Sequence, residues 1–125
     1  MRLHHLAVLV SDLAAAERFY ARVLGLSVER RWDDDHGAPR AVWFRLDGEA
    51  RLMLERATAA GPRRVDGAPG WHCVALAIES SAREEWRSTL VSEGFPPHAE
   101  TAHTLYVRDP DGNVVALSDY PSAAG

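Results

Sequence analysis

Two stretches of the chain alternate in polarity at every second residue and then pass into a three- and four-residue period. The first reads HHLAVLVSD over residues 4–12, and the second WHCVALAIESS over residues 71–81. Set one on the other, His72, Cys73, Val74, Leu76 and Ile78 fall where His4, His5, Leu6, Val8 and Val10 fell. Successive side chains on a strand point to opposite faces. His5, Ala7 and Leu9 are therefore predicted on one face, with Leu6, Val8 and Val10 on the other. The same count gives Cys73 the position of His5 and turns His72, like His4, to the opposite face or the strand end, in a structural or surface role.

Each strand runs into a helix signal. Asp12 is placed to cap a helix whose apolar face is Leu13, Ala16, Phe19 or Tyr20, and Val23, and Gly25 stops it. In the second copy Ser81 and Glu84 have the spacing of a capping box. There Ala82, Trp86 and Leu90 form the buried stripe, and Gly94 ends the helix.

Three more strands are predicted after each helix. In the first copy a strand over residues 27–32 leads to the turn Asp33-Asp34-Asp35-His36-Gly37, and then to a hairpin of residues 41–46 and 51–56 about Asp47-Gly48. The three adjacent carboxylates lack the spacing of a calcium loop and read as a solvated turn. In the second copy Pro96-Pro97 limits the next strand to an edge position. Residues 104–108 and 113–119 then flank DPDG, a hairpin turn whose aspartates serve the turn and not catalysis. The order β-α-β-β-β thus occurs twice, an α+β fold in which each helix covers one sheet face and leaves the other free.

At 125 residues the chain reads as a single domain over 1–125, with a first module at about 1–56, a Gly-, Ala- and Pro-rich connector at about 57–70 and a second module at about 71–121. A formal net charge of -4 gives no footprint for nucleic acid, and Arg63-Arg64 reads as a solubilising pair. The single cysteine excludes an internal disulfide and fits a reducing compartment. No apolar run is long enough for a membrane span or a signal-peptide core, so a cytoplasmic protein without a membrane partner is expected. All fourteen basic residues are arginine, which removes lysine Schiff-base and lysine general-base chemistry.

Three segments carry a family resemblance. HHLAVLVSDL over residues 4–13, FYARVLGL over 19–26 and LYVRDPDGNVVAL over 105–117 resemble the vicinal oxygen chelate superfamily, which includes glyoxalase I, extradiol dioxygenases, fosfomycin-resistance enzymes and bleomycin-resistance proteins. The resemblance covers nearly the whole chain. It implies two βαβββ modules in one chain whose mixed sheet curls around a concave cleft, commonly completed in a homodimer. It does not fix a reaction.

In the metal-dependent members of that family the ligands come from four strand positions, which the resemblance carries onto His5, Met53, Cys73 and Ala116. One imidazole, a thioether, a thiol and a methyl do not supply the donors a divalent lyase requires, and no metal is expected. The alternative register offers His5, Glu55 and Cys73 for zinc, nickel, iron or manganese. Arg51, on the same face, would compete for Glu55 as an ion pair.

Two functions are compatible with this pattern. The first is a binding protein for a small organic ligand, used in drug or metabolite sequestration, with Leu9, Trp43, Met53, Cys73 and Ala116 as apolar wall and His5, Arg51, Glu55 and His103 as orienting polar groups. The second is a lyase, isomerase or dioxygenase using His5 and Glu55, with or without a divalent metal. Cys73 is a further catalytic candidate, as a nucleophile paired with His5, although a small buried thiol is the simpler reading. Trp32 and Trp71 lie at strand ends, where an aromatic side chain either covers the core edge or touches ligand.

Overall fold

The apolar positions counted by twos from Leu6 become the inner layer of the first of two compact units, Met1–Pro62 and Arg63–Gly125. The structure, a computed structural model, describes residues 1–121. The first unit consists of β1 (His5–Val10), α1 (Leu13–Glu17) continued by a π-helical segment (Arg18–Val23), β2 (Ser27–Asp33), β3 (Pro39–Arg45) and β4 (Arg51–Arg56). Its sheet has the order β1-β4-β3-β2, with β1 and β4 parallel and the other pairs antiparallel.

Leu6, Val8 and Val10 pair with Leu52, Leu54 and Arg56, and Leu52 and Leu54 pair in turn with Phe44 and Val42. These residues share the face on which α1 packs. Phe44, Leu52 and Leu54 are fully buried there with Ala16, Phe19 and Tyr20. Each large side chain so buried contributes roughly 1.5–3 kcal/mol relative to exposure. Asp12 caps α1 as expected, its Oδ1 accepting the Ala15 N–H at 3.0 Å. The wider π turn is not legible in the sequence, and it buries Phe19 and Tyr20 together, edge to face at 4.9 Å.

The second unit consists of β5 (Val74–Ala77), a 3-10 turn (Ser80–Ala82), α2 (Arg83–Ser92), β6 (Ala99–Glu100), β7 (Thr104–Arg108) and β8 (Val114–Ser118), in the sheet order β5-β8-β7-β6. Val74 and Leu76 pair with Val115 and Leu117, and these with Val107 and Leu105, making the inner face. Ala75, Ala116 and Tyr106 share the other face. β6 is the short edge strand the double proline foretells.

Two sequence expectations fail in this unit. Ser81 lies inside the 3-10 turn, α2 starts from Ala82, and no side chain caps it, so the capping box is not formed. β5 begins at Val74, so His72 and Cys73 precede the pleat from which their faces are counted. The DPDG turn does form. Buried Asp109 accepts the N–H groups of Asp111 at 2.9 Å and Asn113 at 2.8 Å. Among the described residues no helix is long and apolar enough to cross a membrane.

Candidate functional site

The face of the first sheet away from α1 carries His5, Ala7 and Leu9 on β1, Arg51, Met53 and Glu55 on β4, and Ala41, Trp43 and Arg45 on β3. At one end of this face a depression of about 470 Å³ is lined by His4, His5, Glu29, Arg30, Trp43, Arg51 and Met53. Register accounts for the grouping. His5 lies opposite Arg51, and Met53 lies between Ala7 and Trp43.

Trp43 leans on Trp32 of β2 with ring centroids 5.1 Å apart and planes inclined by 55°, and the Arg30 guanidinium carbon stands 3.7 Å over the Trp32 ring. This is a cation–π layer on an aromatic floor. Neither indole Nε1 has a hydrogen-bond partner among the described residues.

A register shift between Val28 and Arg30 sets Glu29 in a bulge. Its carboxylate takes Arg51 through both oxygens, Nε to Oε2 at 2.6 Å and Nη2 to Oε1 at 3.0 Å, and also takes Arg45 at 3.3 Å. The hydrogen bond from Arg51 holds the Glu29 carboxyl below the usual range, and Glu29 in turn raises Arg51. The expected competition of Arg51 for Glu55 does not occur. Arg51 is clamped by Glu29 instead, and Glu55 has Arg40 within 3.6 Å. The reason is distance: Glu55 is opposite Leu9, four residues along the strand from Arg51, or roughly 13 Å.

His4 also reaches this depression, contrary to the face assigned by counting. It precedes β1, and its Nδ1 meets the His5 Nδ1 at 2.8 Å with the rings edge to face. One of these nitrogens donates and the other accepts.

Of the residues singled out in the sequence, His5, Trp43, Arg51 and Met53 come together here. Leu9, 68% exposed, and Glu55 lie at the far end of the same face, so His5 and Glu55 are too far apart to share one ion. Cys73, His103 and Ala116 belong to the second unit. Cys73 is partly buried just ahead of β5. Ala116 lies between Ala75 and Tyr106 and is buried. The His103 Nδ1 meets Asp119 Oδ1 at 2.8 Å, and its ring stands edge to face with Tyr120. His72 sits on the outer face, its ring 6.1 Å from that of Tyr106. Among the described residues no three His, Cys, Asp or Glu side chains are grouped so as to hold a metal ion.

Glu29 and Arg30 escape a reading of the sequence because a bulge breaks the two-residue count. The signal that could have found them is the run ERRW, three charges leading into an aromatic residue on a predicted strand.

No curated protein matches the chain. Among solved structures it is similar to a glyoxalase family protein from Enterococcus faecalis, with 23% identity, 94% of this chain and 96% of the other covered, and a TM-score of 0.73. A glyoxalase/dioxygenase from Nostoc punctiforme gives 18% identity, coverage of 97% and 92%, and a TM-score of 0.75. Lactoylglutathione lyase from Agrobacterium tumefaciens gives 26% identity, coverage of 94% and 92%, and a TM-score of 0.67. The family model for the Glyoxalase/Bleomycin resistance protein/Dioxygenase superfamily matches residues 2–117, and the chain belongs to that superfamily.

Proposed function

We propose that this chain is a metal-independent binding member of its superfamily that holds a small, planar organic ligand, a drug or metabolite, on the open face of the first sheet. The observation that carries the reading is the Trp32–Trp43 pair with Arg30 stacked on it, beside Met53 and the His4–His5 pair. An aromatic floor with a few polar groups at its edge suits a planar ligand bearing a hydrogen-bonding substituent.

The donor chemistry of the four family ligand positions supports the absence of a metal step. Imidazole, thioether, thiol and methyl at His5, Met53, Cys73 and Ala116 do not fit a hard or borderline divalent ion. Replacing Met53 by Glu55 does not restore a set, because Glu55 lies four pairs along the ladder from His5. Within this reading the protein is a cytoplasmic homodimer, which light scattering tests.

Titration of planar aromatic ligands against intrinsic tryptophan fluorescence is the direct experiment. Saturable quenching is expected, with Trp43→Leu weakening affinity about tenfold. Elemental analysis of protein purified without chelator should give metal well below one ion per chain. Stoichiometric zinc, nickel, iron or manganese lost in His5→Ala would overturn the reading, as would methylglyoxal–glutathione turnover abolished by the same substitution.

A further inference from the structure

The second unit carries a cluster of cationic and titratable groups that the proposed ligand face does not use. Arg64 and Asp66 from the segment after Pro62, His72 ahead of β5, His98 ahead of β6, and Arg108 and Val114 from β7 and β8 surround a depression of about 400 Å³. Arg108 is fixed in position. Its Nη1 donates to Asp66 Oδ1 at 3.1 Å and to the Gly112 carbonyl at 3.2 Å, and its Nη2 donates to Asp66 Oδ2. A guanidinium has five N–H donors, so these contacts leave two hydrogens over.

The charges do not balance. Asp66 is the one carboxylate in the lining, and Arg108 holds it low in pKa. Arg64 acts on Asp66 only through the field between them. With neutral imidazoles the lining holds two guanidinium groups against one carboxylate, and each protonated imidazole adds a further positive charge. His72 and His98 flank Tyr106, with ring centroids at 6.1 and 6.5 Å from its ring. His98 is held below the ordinary histidine value, first by burial and then by Arg108 and His72, with Asp66 pulling the other way. The surroundings of His98 are therefore partly desolvated and of positive potential.

We propose that this depression binds a small tetrahedral oxyanion, free or as a phosphate or sulfate monoester, between Arg64, Arg108 and the imidazoles of His72 and His98. Guanidinium N–H groups and imidazolium rings are the donors that match such an anion. The site uses no residue of the first unit, so it stands or falls apart from the planar-ligand reading.

The sign of its pH dependence is set by linkage. The groups facing His98 are Arg108 and Tyr106 on β7, Arg64 and Asp66 on the connecting segment, and His72 ahead of β5. An anion favours the imidazolium form of His98, so anion binding and His98 protonation strengthen each other, and affinity rises as pH falls through the titration of His98.

Sulfate is the probe, because its charge stays constant over that range. The intact chain is titrated with sodium sulfate at about pH 6 and about pH 8, ionic strength held with chloride, and the imidazole resonances of all six histidines are followed by NMR. Saturable shifts confined to His72 and His98 are expected, about tenfold tighter at the lower pH. Arg64→Gln, which leaves the Asp66–Arg108 pair in place, should weaken binding at both pH values. His98→Asn should remove most of the pH dependence while leaving binding at the higher pH. Competition by methyl phosphate would identify an ester ligand, and sulfate binding without it a free anion; both uphold the site. Shifts that never saturate, shifts spread over all six histidines, or an unchanged response in Arg64→Gln would overturn it.

Discussion

Single residues decide two local geometries in opposite ways. Gly112 sits in the DPDG turn at φ +86°, and a Cβ there would stand 3.1 Å from an Arg63 guanidinium nitrogen. The guanidinium is the far end of a flexible side chain and moves aside, so the backbone conformation sets the penalty. Gly112→Ala is expected to cost about 1–2 kcal/mol in urea unfolding. Gly61, outside the left-handed region and with open space around its Cβ position, is the control. Gly61→Ala should leave stability unchanged or raise it by up to about 1 kcal/mol. If the two substitutions behave alike, the turn is not held by its left-handed glycine. Glu29 is the opposite case, a residue whose side chain, not its backbone freedom, organises its surroundings. By taking both Arg51 and Arg45 it holds two guanidinium groups at one end of the open sheet face.

Elements are specified by capping and by parity, and the two signals differ in reliability. The Asp12 carboxylate caps α1 by accepting a backbone N–H, whereas Ser81 sits in a 3-10 turn with no capping bond. Asp12→Ala should therefore cost about 1 kcal/mol and Ser81→Ala close to nothing, as read by thermal or urea unfolding. Parity on the first sheet is tested by a second pair. Leu54→Ala removes a fully buried side chain and should cost about 2–5 kcal/mol, while Leu9→Ser, at a position 68% exposed, should leave stability nearly unchanged. A reversal would put the helix on the wrong face. Much of the fold is legible because the apolar residues of β1, β3 and β4 keep the two-residue count without interruption. Alternation offers Trp43, between buried Val42 and Phe44, to the open face, and the strand register places it there. Legibility ends where the count is interrupted. The bulge at Glu29 moves a carboxylate to Arg51, and the late start of β5 brings His72 to the outer face beside Tyr106. Arg64 and Asp66 lie in a connector without a period, so the sequence offers Arg64 only as half of a solubilising pair, and the pairing of Asp66 with Arg108 is what places both beside the depression.

Over the whole molecule, the absence of lysine makes the response to pH one-sided. Each unit pairs carboxylates with guanidinium groups: Glu29 with Arg51 and Asp34 with Arg56 in the first, Asp66 with Arg108 and Glu100 with Arg87 in the second. Arginine stays protonated throughout the range in which proteins fold, so these pairs are lost only when the carboxylate takes up a proton. All four carboxyls are lowered by those hydrogen bonds, Asp34 to about 2 with help from the backbone N–H groups of Ala38 and His36. A carboxyl whose folded value lies below its unfolded one, about 4, stabilises the fold above that unfolded value. The contribution disappears as pH falls through the folded value. The pairs are exposed, so each is small and screened by salt. Their sum should nevertheless emerge as a fall in melting temperature between about pH 4.5 and about pH 2, shallower in high salt. The indole resonances of Trp43 in the first unit and Trp86 in the second should broaden over the same interval, since each unit contains pairs of this kind. The double variant Asp34→Asn, Glu100→Gln should melt lower at neutral pH and lose less on acidification. A melting temperature independent of pH below 4.5 would mean that these guanidinium–carboxylate contacts decorate the surface without stabilising either unit.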